Sequence, residues 1–259
     1  MNRYAFRIEY HGADYAGWQR QDGQISVQEV FERALSCLEP IGIAGTVAAG
    51  RTDSGVHARG QVAHCNLSSH WEPLRLREAL NAHLRAERVR VLDVACVGDD
   101  FSARHSAVER VYVYRILSRR PPPAIEDGLV WHVRHDLNVD SMRRGAKHLV
   151  GRHDFTTFRS VHCQAKSPVR TLDSLVVELQ PRTHGAEILI TARARSFLHR
   201  QIRSLVGSLE RVGAGLIEPH AIAEMLAARD RSACGPVAPA RGLYLAAIKY
   251  RPDPFQANG

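Results

Sequence analysis

The sequence has no long apolar run, and this shortage excludes one large class of protein. No stretch approaches the roughly 18 consecutive apolar residues that a membrane-spanning helix needs. The opening segment MNRYAFRIEYHG carries charges where a secretory signal has its apolar region. We therefore expect a cytoplasmic protein that is neither exported nor embedded in a membrane.

Cysteines and metal-binding patterns are also scarce. The five cysteines are widely spaced and include no Cys-x-x-Cys pair, so neither a disulfide framework nor a zinc ribbon is indicated. The 14 histidines include no His-Glu-x-x-His motif. No glycine-rich phosphate loop follows a predicted strand, which argues against a Rossmann or P-loop nucleotide site. We expect neither a metal nor a nucleotide cofactor.

Lysine is nearly absent from the cationic residues, because 32 of the 35 are arginine. A GC-rich genome produces this bias without any function, but the planar guanidinium of arginine also suits phosphates and stacks on bases. The formal net charge is +8 and is unevenly distributed. The first 105 residues carry 12 cationic and 13 anionic side chains, and the rest carry 23 and 14. This localised positive charge indicates a nucleic-acid partner.

The sequence does contain strand and helix patterns throughout its length. Residues 4–10 alternate apolar and polar side chains with the period of a half-buried strand. Ser26 and Glu29 have the spacing of a capping box at the start of an amphipathic helix. Strands are predicted at residues 4–10, 46–49, 61–67, 89–97, 110–117, 172–179, 187–194 and 243–250, and helices at 27–38, 74–84, 139–149, 197–212 and 220–228.

This mixture predicts an α+β fold, in which helices pack on one face of mainly antiparallel sheets. We expect two halves, residues 1–105 and residues 106–259, of which the second carries most of the positive charge. Two such halves leave a cleft between them, and ligands often bind in clefts of this kind.

The densest polar segment is AGRTDSGVHARGQVAH, residues 49–64. Glycines flank Arg51 and Asp53, and they would present both side chains on a tight, rigid loop. The simpler interpretation is an Asx turn, in which Asp53 binds its own backbone. Spacing alone favours the simpler interpretation.

Two segments of the second half combine aromatic and basic residues. In RVYVYRIL, Tyr112 and Tyr114 share one strand face, where a tyrosine is usually half-buried packing. An aromatic ring beside a basic surface is, however, what a flipped-out base stacks on. Around the helix predicted at 197–212, four arginines form either a solvated face or an anion-binding cluster: Arg193, Arg195, Arg200 and Arg203. A half-buried arginine there needs a carboxylate partner, for which Asp53 is one candidate.

Taken together, these segments resemble the tRNA pseudouridine synthase A family. The resemblance extends in consistent order from IEYHGADYAGWQRQ through GRTDSGVH, FSARHSAVERVYVY, GRHDFTTFR and SPVRT to FLHRQIRSLVGSL and GLYL. It implies a pseudouridine synthase fold of two related halves that meet at a basic central cleft. It also implies a homodimer that modifies uridines 38, 39 and 40 in the anticodon stem-loop of tRNA.

The same resemblance implies roles for individual residues. Asp53 corresponds to the catalytic aspartate, Tyr112 to the active-site tyrosine and Arg203 to the ion-pair partner of that aspartate. Arg51 corresponds to the loop residue that helps to extrude the base. Three further residues are expected to bind the RNA: Arg193, Arg195 and Arg200.

The reaction that the resemblance implies also requires residues of these types on chemical grounds. Converting uridine to pseudouridine breaks the N1–C1′ bond, rotates the uracil and rejoins it through C5, so the reaction needs no redox partner and no external acceptor. It does need an ionised carboxylate, which a nearby guanidinium favours, and a flat ring that holds the detached uracil. The sequence leaves open whether Asp53 attacks C1′, adds at C6 or takes a proton from C2′. It also leaves open whether the Tyr112 hydroxyl relays the C5 proton.

Two other functions fit parts of the sequence. A non-catalytic RNA-binding protein would account for the positive charge and the tyrosines, but it would leave Arg51 and Asp53 without a purpose. A carboxylate-dependent nucleoside hydrolase would use Asp53, but such enzymes usually need a second acidic residue, and no paired acid stands out.

Overall fold

The structure is a computed structural model that describes residues 1–39 and 41–256. The chain forms two compact units. The first comprises residues 1–110 together with the chain from Tyr244 onward, and the second comprises residues 111–243. Within the part of the chain described, no helix is long and apolar enough to cross a membrane.

Eleven strands and five α-helices make up the described fold. The strands are β1 (Asn2–Tyr10), β2 (Val47–Ala48), β3 (His57–Leu67), β4 (Val89–Val97), β5 (Glu109–Ser118), β6 (Trp131–Val133), β7 (Gly151–Asp154), β8 (Val169–Leu172), β9 (Ser174–Pro181), β10 (Ala186–Ala194) and β11 (Leu243–Lys249). The helices are α1 (Val27–Ser36), α2 (Pro73–His83), α3 (Val139–Lys147), α4 (Gln201–Gly213) and α5 (Ala221–Ala228).

The first unit contains strands in the order β4, β1, β3 and β11. β1 pairs antiparallel with β3 and β4, β2 pairs antiparallel with β3, and β11 runs parallel to β3. The predicted alternation of β1 is confirmed, because Tyr4, Phe6 and Ile8 are fully buried while Glu9 is exposed.

Helix α1 covers the apolar face of β1. The Ser26 hydroxyl accepts a hydrogen bond from the backbone N–H of Glu29 at 3.2 Å, which confirms the predicted cap. The Phe31 ring of α1 meets the Phe6 ring of β1 edge-on, with centroids 5.2 Å apart. α2 packs against β4 and α1, so the first unit has helices on one face of its sheet.

The second unit has adjacent strands in the order β5, β10 and β9, with β6 parallel to β5. A separate antiparallel pair is formed by β7 and β8. α3 packs on β9 and on α4. Its Asn138 cap accepts from Ser141 N at 2.9 Å, and Arg143 Nε donates to the Val177 carbonyl of β9 at 2.9 Å. The predicted α+β class, with mainly antiparallel sheets, is confirmed.

Several element boundaries differ from the sequence predictions, and β3, for example, begins at His57 rather than at residue 61. The strand predicted at residues 172–179 is two strands, because Leu172 ends a strand paired with β7 while Ser174 begins a strand paired with β10. Asp173 joins them, and its N–H donates to the Arg193 carbonyl at 2.8 Å. The helix predicted from residue 197 begins only at Gln201, because Arg200 has a left-handed backbone conformation.

Candidate active site

The segment that contains Asp53 is a short loop between β2 and β3, and hydrogen bonds fix its backbone at both ends. The Gln61 side-chain amide donates to the Gly50 carbonyl at 2.8 Å. Val56 N–H donates to the Asp53 carbonyl at 3.1 Å, which closes a turn over the loop. The buried Arg110 guanidinium donates twice to the Ala49 carbonyl, at 3.1 and 2.7 Å.

A second segment, residues 12–18, holds the middle of the same loop. Thr52 is buried, its hydroxyl lies 2.7 Å from the Tyr10 hydroxyl, and its carbonyl accepts from Trp18 N–H at 3.1 Å. Gly17 has φ +97°, and a Cβ there would lie 2.5 Å from the Thr52 carbonyl oxygen. Only glycine fits this close approach, so the HGADYAGW segment acts as a clamp on the loop.

The two functional candidates on this loop differ in exposure. Arg51 is exposed and Asp53 is half-buried, whereas Thr52 between them is buried. A fixed backbone therefore presents a basic and an acidic side chain from neighbouring positions. Because a preorganised carboxylate loses little freedom on reaching a reacting atom, this loop suits a catalytic acid, base or nucleophile.

Tyr112 and Tyr114 both lie on β5 in the second unit, but their surroundings differ. Tyr112 retains 8% of its surface exposed, and its ring meets the Phe197 ring edge-on with centroids 5.3 Å apart. Tyr114 is fully buried, and its hydroxyl donates to the Pro239 carbonyl at 2.7 Å. Burial raises the pKa of Tyr114 well above its usual range. Tyr114 is a packing residue, whereas a small part of the Tyr112 surface stays accessible.

The start of α4 is formed by an unusual turn. Arg200 is exposed and has φ 60°, a conformation that non-glycine residues rarely adopt. Gln201 is buried, and its side-chain oxygen accepts from Leu198 N–H at 2.8 Å. Gln201 thereby satisfies the backbone of the turn before the helix, a role that the sequence pattern does not reveal.

Arg203, one turn into α4, is held against the segment that follows α5. Its Nε donates to the Ala238 carbonyl at 2.8 Å, and Ala238 N–H donates back to the Arg203 carbonyl at 3.0 Å. This close approach needs a glycine one turn later, because a Cβ on Gly207 would lie 1.8 Å from the Pro236 oxygen. Arg203 is half-buried, and the Ala238 carbonyl holds its guanidinium in place.

The other arginines of the cluster are distributed along the junction between β10 and α4. Arg193 lies near the end of β10 and is half-buried, and Arg195 and Arg200 are exposed. Phe197, which contacts Tyr112, lies between them in the chain. The second unit therefore brings the Tyr112 ring to the same junction as these basic side chains. Arg51 and Asp53 lie together on the loop of the first unit.

Among residues 1–39 and 41–256, no group of three or more His, Cys, Asp or Glu side chains has the arrangement needed to hold a metal ion. The first unit offers a carboxylate and an arginine on one loop, and the second unit offers an aromatic ring and arginines at one junction. These are groups that suit a nucleic-acid substrate.

Comparison with known protein families identifies the class of protein to which the chain belongs. The model of a family described as tRNA pseudouridine synthase matches residues 7–106 and 146–251. The match includes Arg51 and Asp53 in its first part and Arg203 in its second. The chain belongs to the tRNA pseudouridine synthase family, whose members are isomerases.

Three curated relatives of the chain share the name of one enzyme within that family. The tRNA pseudouridine synthase A of Dinoroseobacter shibae is 58% identical over 256 residues, which is 99% of each chain. The tRNA pseudouridine synthase A of Paracoccus denitrificans is 54% identical over 98% of each chain. That of Roseobacter denitrificans is 52% identical over 100% of this chain and 99% of its own.

A solved structure, a chain of a Cbf5-Nop10-Gar1 complex, is also similar. It is 10% identical with a TM-score of 0.31, and the alignment covers 93% of this chain and 56% of that one. A likeness at this level supports no statement about the site.

Proposed function

We propose that this member of the tRNA pseudouridine synthase family isomerises uridines 38, 39 and 40 in the anticodon stem-loop of tRNA. The observation that carries the proposal is the fixed loop that presents Asp53 and Arg51, in a chain whose full length matches tRNA pseudouridine synthases A. An RNA-binding protein without catalysis has no need of a carboxylate held in this way.

In the proposed reaction Asp53 acts as an ionised carboxylate on the sugar or on the base. The bond from N1 to C1′ breaks, the uracil turns, and a new bond forms from C5 to C1′. C5 then loses its proton, and N1 gains one. Atoms and electrons balance within the substrate, so the protein has to supply only acid-base or nucleophilic chemistry and a pocket.

Three further residues take part in this proposal. Arg203 is the ion-pair partner that keeps Asp53 charged and positioned, which its anchored and half-buried guanidinium supports. Tyr112 holds the detached uracil by stacking, which its remaining exposed surface and its position at the arginine-rich junction support. Arg51 is exposed on the Asp53 loop and helps to extrude the base.

The substrate is bound mainly through phosphates. The proposed binding residues are Arg193, Arg195 and Arg200, which share the β10–α4 junction with the ring contact of Tyr112. We also propose that the enzyme works as a homodimer in the cytoplasm. The proposed roles also divide between the two predicted halves. Residues 1–105 carry the Asp53 loop, and residues 106–259 carry Tyr112 and Arg203.

The experiment uses an unmodified tRNA transcript that carries uridine at positions 38, 39 and 40. After incubation with the protein, carbodiimide adducts are mapped by primer extension, and the proposal expects adducts at those positions. A matched transcript with cytidine at the three positions is the control. Release of free uracil would instead identify a hydrolase, and tight binding without any adduct would identify an RNA-binding protein.

A further inference from the structure

We propose that Arg59 binds a backbone phosphate of the tRNA, and that Tyr244 holds its guanidinium ready to do so. The inference rests on the proposed function, since it adds a binding residue to the same substrate. Neither residue belongs to the arginine cluster of the second unit, so this contact extends the RNA-binding surface to the unit that carries Asp53.

Arg59 is an exposed cation, and one flat face of its guanidinium packs on an aromatic ring. Its Cζ lies 5.0 Å from the centroid of the Tyr244 ring, which is a cation–π distance. The side chain is exposed, and among residues 1–39 and 41–256 it has no carboxylate within 4.0 Å. Stacking uses the face of a guanidinium and leaves its N–H edges available, which is the geometry that phosphate recognition requires.

The aromatic support beneath Arg59 is rigid. Tyr244 is 6% exposed and stacks on the His57 ring, with centroids 4.7 Å apart and an interplanar angle of 21°. His57 is 1% exposed, its Nδ1 accepts from Gly12 N–H at 3.1 Å, and the His11 ring meets it edge-on at 4.6 Å. A guanidinium held on such a stack loses little conformational entropy when it binds a phosphate.

The position of Arg59 relative to the Asp53 loop is set by β3. β3 begins at His57, where the Asp53 loop ends, so Arg59 is six residues from Asp53 along the chain. A β-bulge falls at this point, because Tyr10 pairs with Ala58 while Ile8 pairs with Gln61. Bulges redirect side chains and occur often beside active sites.

Arg59 also lies on the face of the sheet that α1 leaves open. Tyr10 and Ile8 share the α1-covered face with Phe6, and their partners across the ladder, Ala58 and Gln61, lie on that face as well. Two residues, Arg59 and Gly60, lie between these partners and opposite Glu9. Arg59 follows Ala58 in the strand and therefore lies on the other face, and both Arg59 and Glu9 are exposed. An RNA backbone can therefore approach Arg59 without displacing a helix of the first unit.

The test is a salt titration of tRNA affinity for two matched single variants, R59Q and R75Q. Arg75 is an equally exposed arginine of the same unit, on α2 rather than on the bulge. Loss of one phosphate contact should flatten the slope of log affinity against log salt by about 0.7 to 0.9 in R59Q. R75Q should keep the wild-type slope and unfolding midpoint, and R59Q should lower the midpoint only slightly, through the lost contact with Tyr244.

Two more variants separate the proposed arrangement from charge alone. R59K keeps the charge but loses the planar fork, so it should recover the slope while binding several-fold more weakly than wild type. Y244L should weaken affinity several-fold and lose part of the slope with Arg59 intact. An R59Q variant with the slope and affinity of R75Q overturns the inference, as does weaker binding of R59Q at an unchanged slope. Wild-type protein that neither binds nor modifies tRNA would instead overturn the proposed function.

Discussion

At the scale of the residue, Tyr112 and Tyr114 show how neighbours on one strand face acquire different tasks. The Tyr114 hydroxyl is committed to the Pro239 carbonyl, and its ring packs edge-on against Trp131. Tyr112 instead meets Phe197 at the arginine-rich junction and keeps 8% of its surface exposed. Sequence periodicity places both on one face and predicts equal costs of substitution, whereas these contacts predict unequal ones.

Substitutions at these tyrosines should therefore separate activity from stability. Y114F should lower the free energy of unfolding by about 1 kcal/mol, because it removes the hydrogen bond to the partly buried Pro239 carbonyl, and should leave turnover nearly unchanged. Y112L should abolish pseudouridine formation, and Y112F should retain it if stacking is the role of the ring. Urea denaturation and single-turnover assays make the measurement. Full activity in Y112L would remove Tyr112 from the site.

His64 gives the fold a pH dependence that is independent of the active site. Its ring is 9% exposed and its Nδ1 accepts from Ala103 N–H at 3.1 Å. Burial, helped by the positive charge of Arg3, lowers the pKa of His64 below its usual value. The folded protein therefore disfavours the protonated ring, while the unfolded chain takes up a proton normally.

The consequence is that stability should fall as the solution becomes acidic. Above the ordinary histidine pKa of about 6.5 the ring is neutral in both states, and the full contribution of His64 to stability is present. As the pH falls through that value, the unfolded state gains protons and the free energy of unfolding decreases. H64N keeps an acceptor for Ala103 N–H without titrating, so its unfolding free energy should depend less on pH between 7.5 and 5.5. Parallel pH profiles for H64N and wild type would contradict this account.

At the scale of the element, the start of α4 is the clearest case of local strain. Arg200 adopts φ 60°, a region that costs a residue with a Cβ about 1 kcal/mol or more. R200G should therefore raise the free energy of unfolding by about 1 kcal/mol. R195G is the control, because Arg195 lies in the same junction without a positive φ and should be destabilised by glycine. If both variants lose stability equally in urea denaturation without RNA, the strain is not real.

The same turn explains where sequence patterns fail. Leu198, Ile202 and Leu205 continue a helical apolar period across the turn, and all are buried, so periodicity extends the predicted helix back to residue 197. The boundary is set instead by the backbone of Arg200 and the side-chain bond of Gln201, neither of which has a periodic signature. Long amphipathic elements such as β1 and α1 were predictable because their burial repeats over several turns or pleats.

The sequence pattern does not predict β6 or β7, for a related reason. β6 and β7 contain three and four residues, too few for a period to be distinguished from chance. The single strand predicted at residues 172–179 proves to be two, because the change of partner at Asp173 depends on tertiary pairing. The Asp53 loop was identified through its resemblance to a family, and the clamp from Gly17 and Tyr10 depends on contacts that spacing does not reveal.

At the scale of the whole molecule, the net charge belongs to one of the two units. Residues 111–243 carry 20 cationic and 12 anionic side chains, which is a net charge of +8, and the other unit is neutral. Because phosphate contacts dominate affinity for nucleic acids, the second unit should provide most of the electrostatic binding of tRNA.

Salt titrations of arginine variants test this division. Neutralising Arg193, Arg195 or Arg200 should flatten the dependence of log affinity on log salt by up to about one unit for each residue that contacts a phosphate. Neutralising Arg75, Arg77 or Arg88 in the first unit should change the slope less, and R51A should reduce the catalytic rate more than the affinity. Equal slope changes from both groups would refute the dominance of the second unit.

We propose above all that Asp53 carries the chemistry on a loop that the fold holds in place. D53N preserves the shape of the side chain but removes the carboxylate, so it lacks the nucleophile or base that the reaction needs. The decisive measurement is pseudouridine formation by D53N on the unmodified tRNA transcript, together with its affinity for that transcript. D53N should form no detectable pseudouridine and should bind the transcript with an affinity within a few-fold of wild type. Turnover by D53N above a few per cent of the wild-type rate would contradict it.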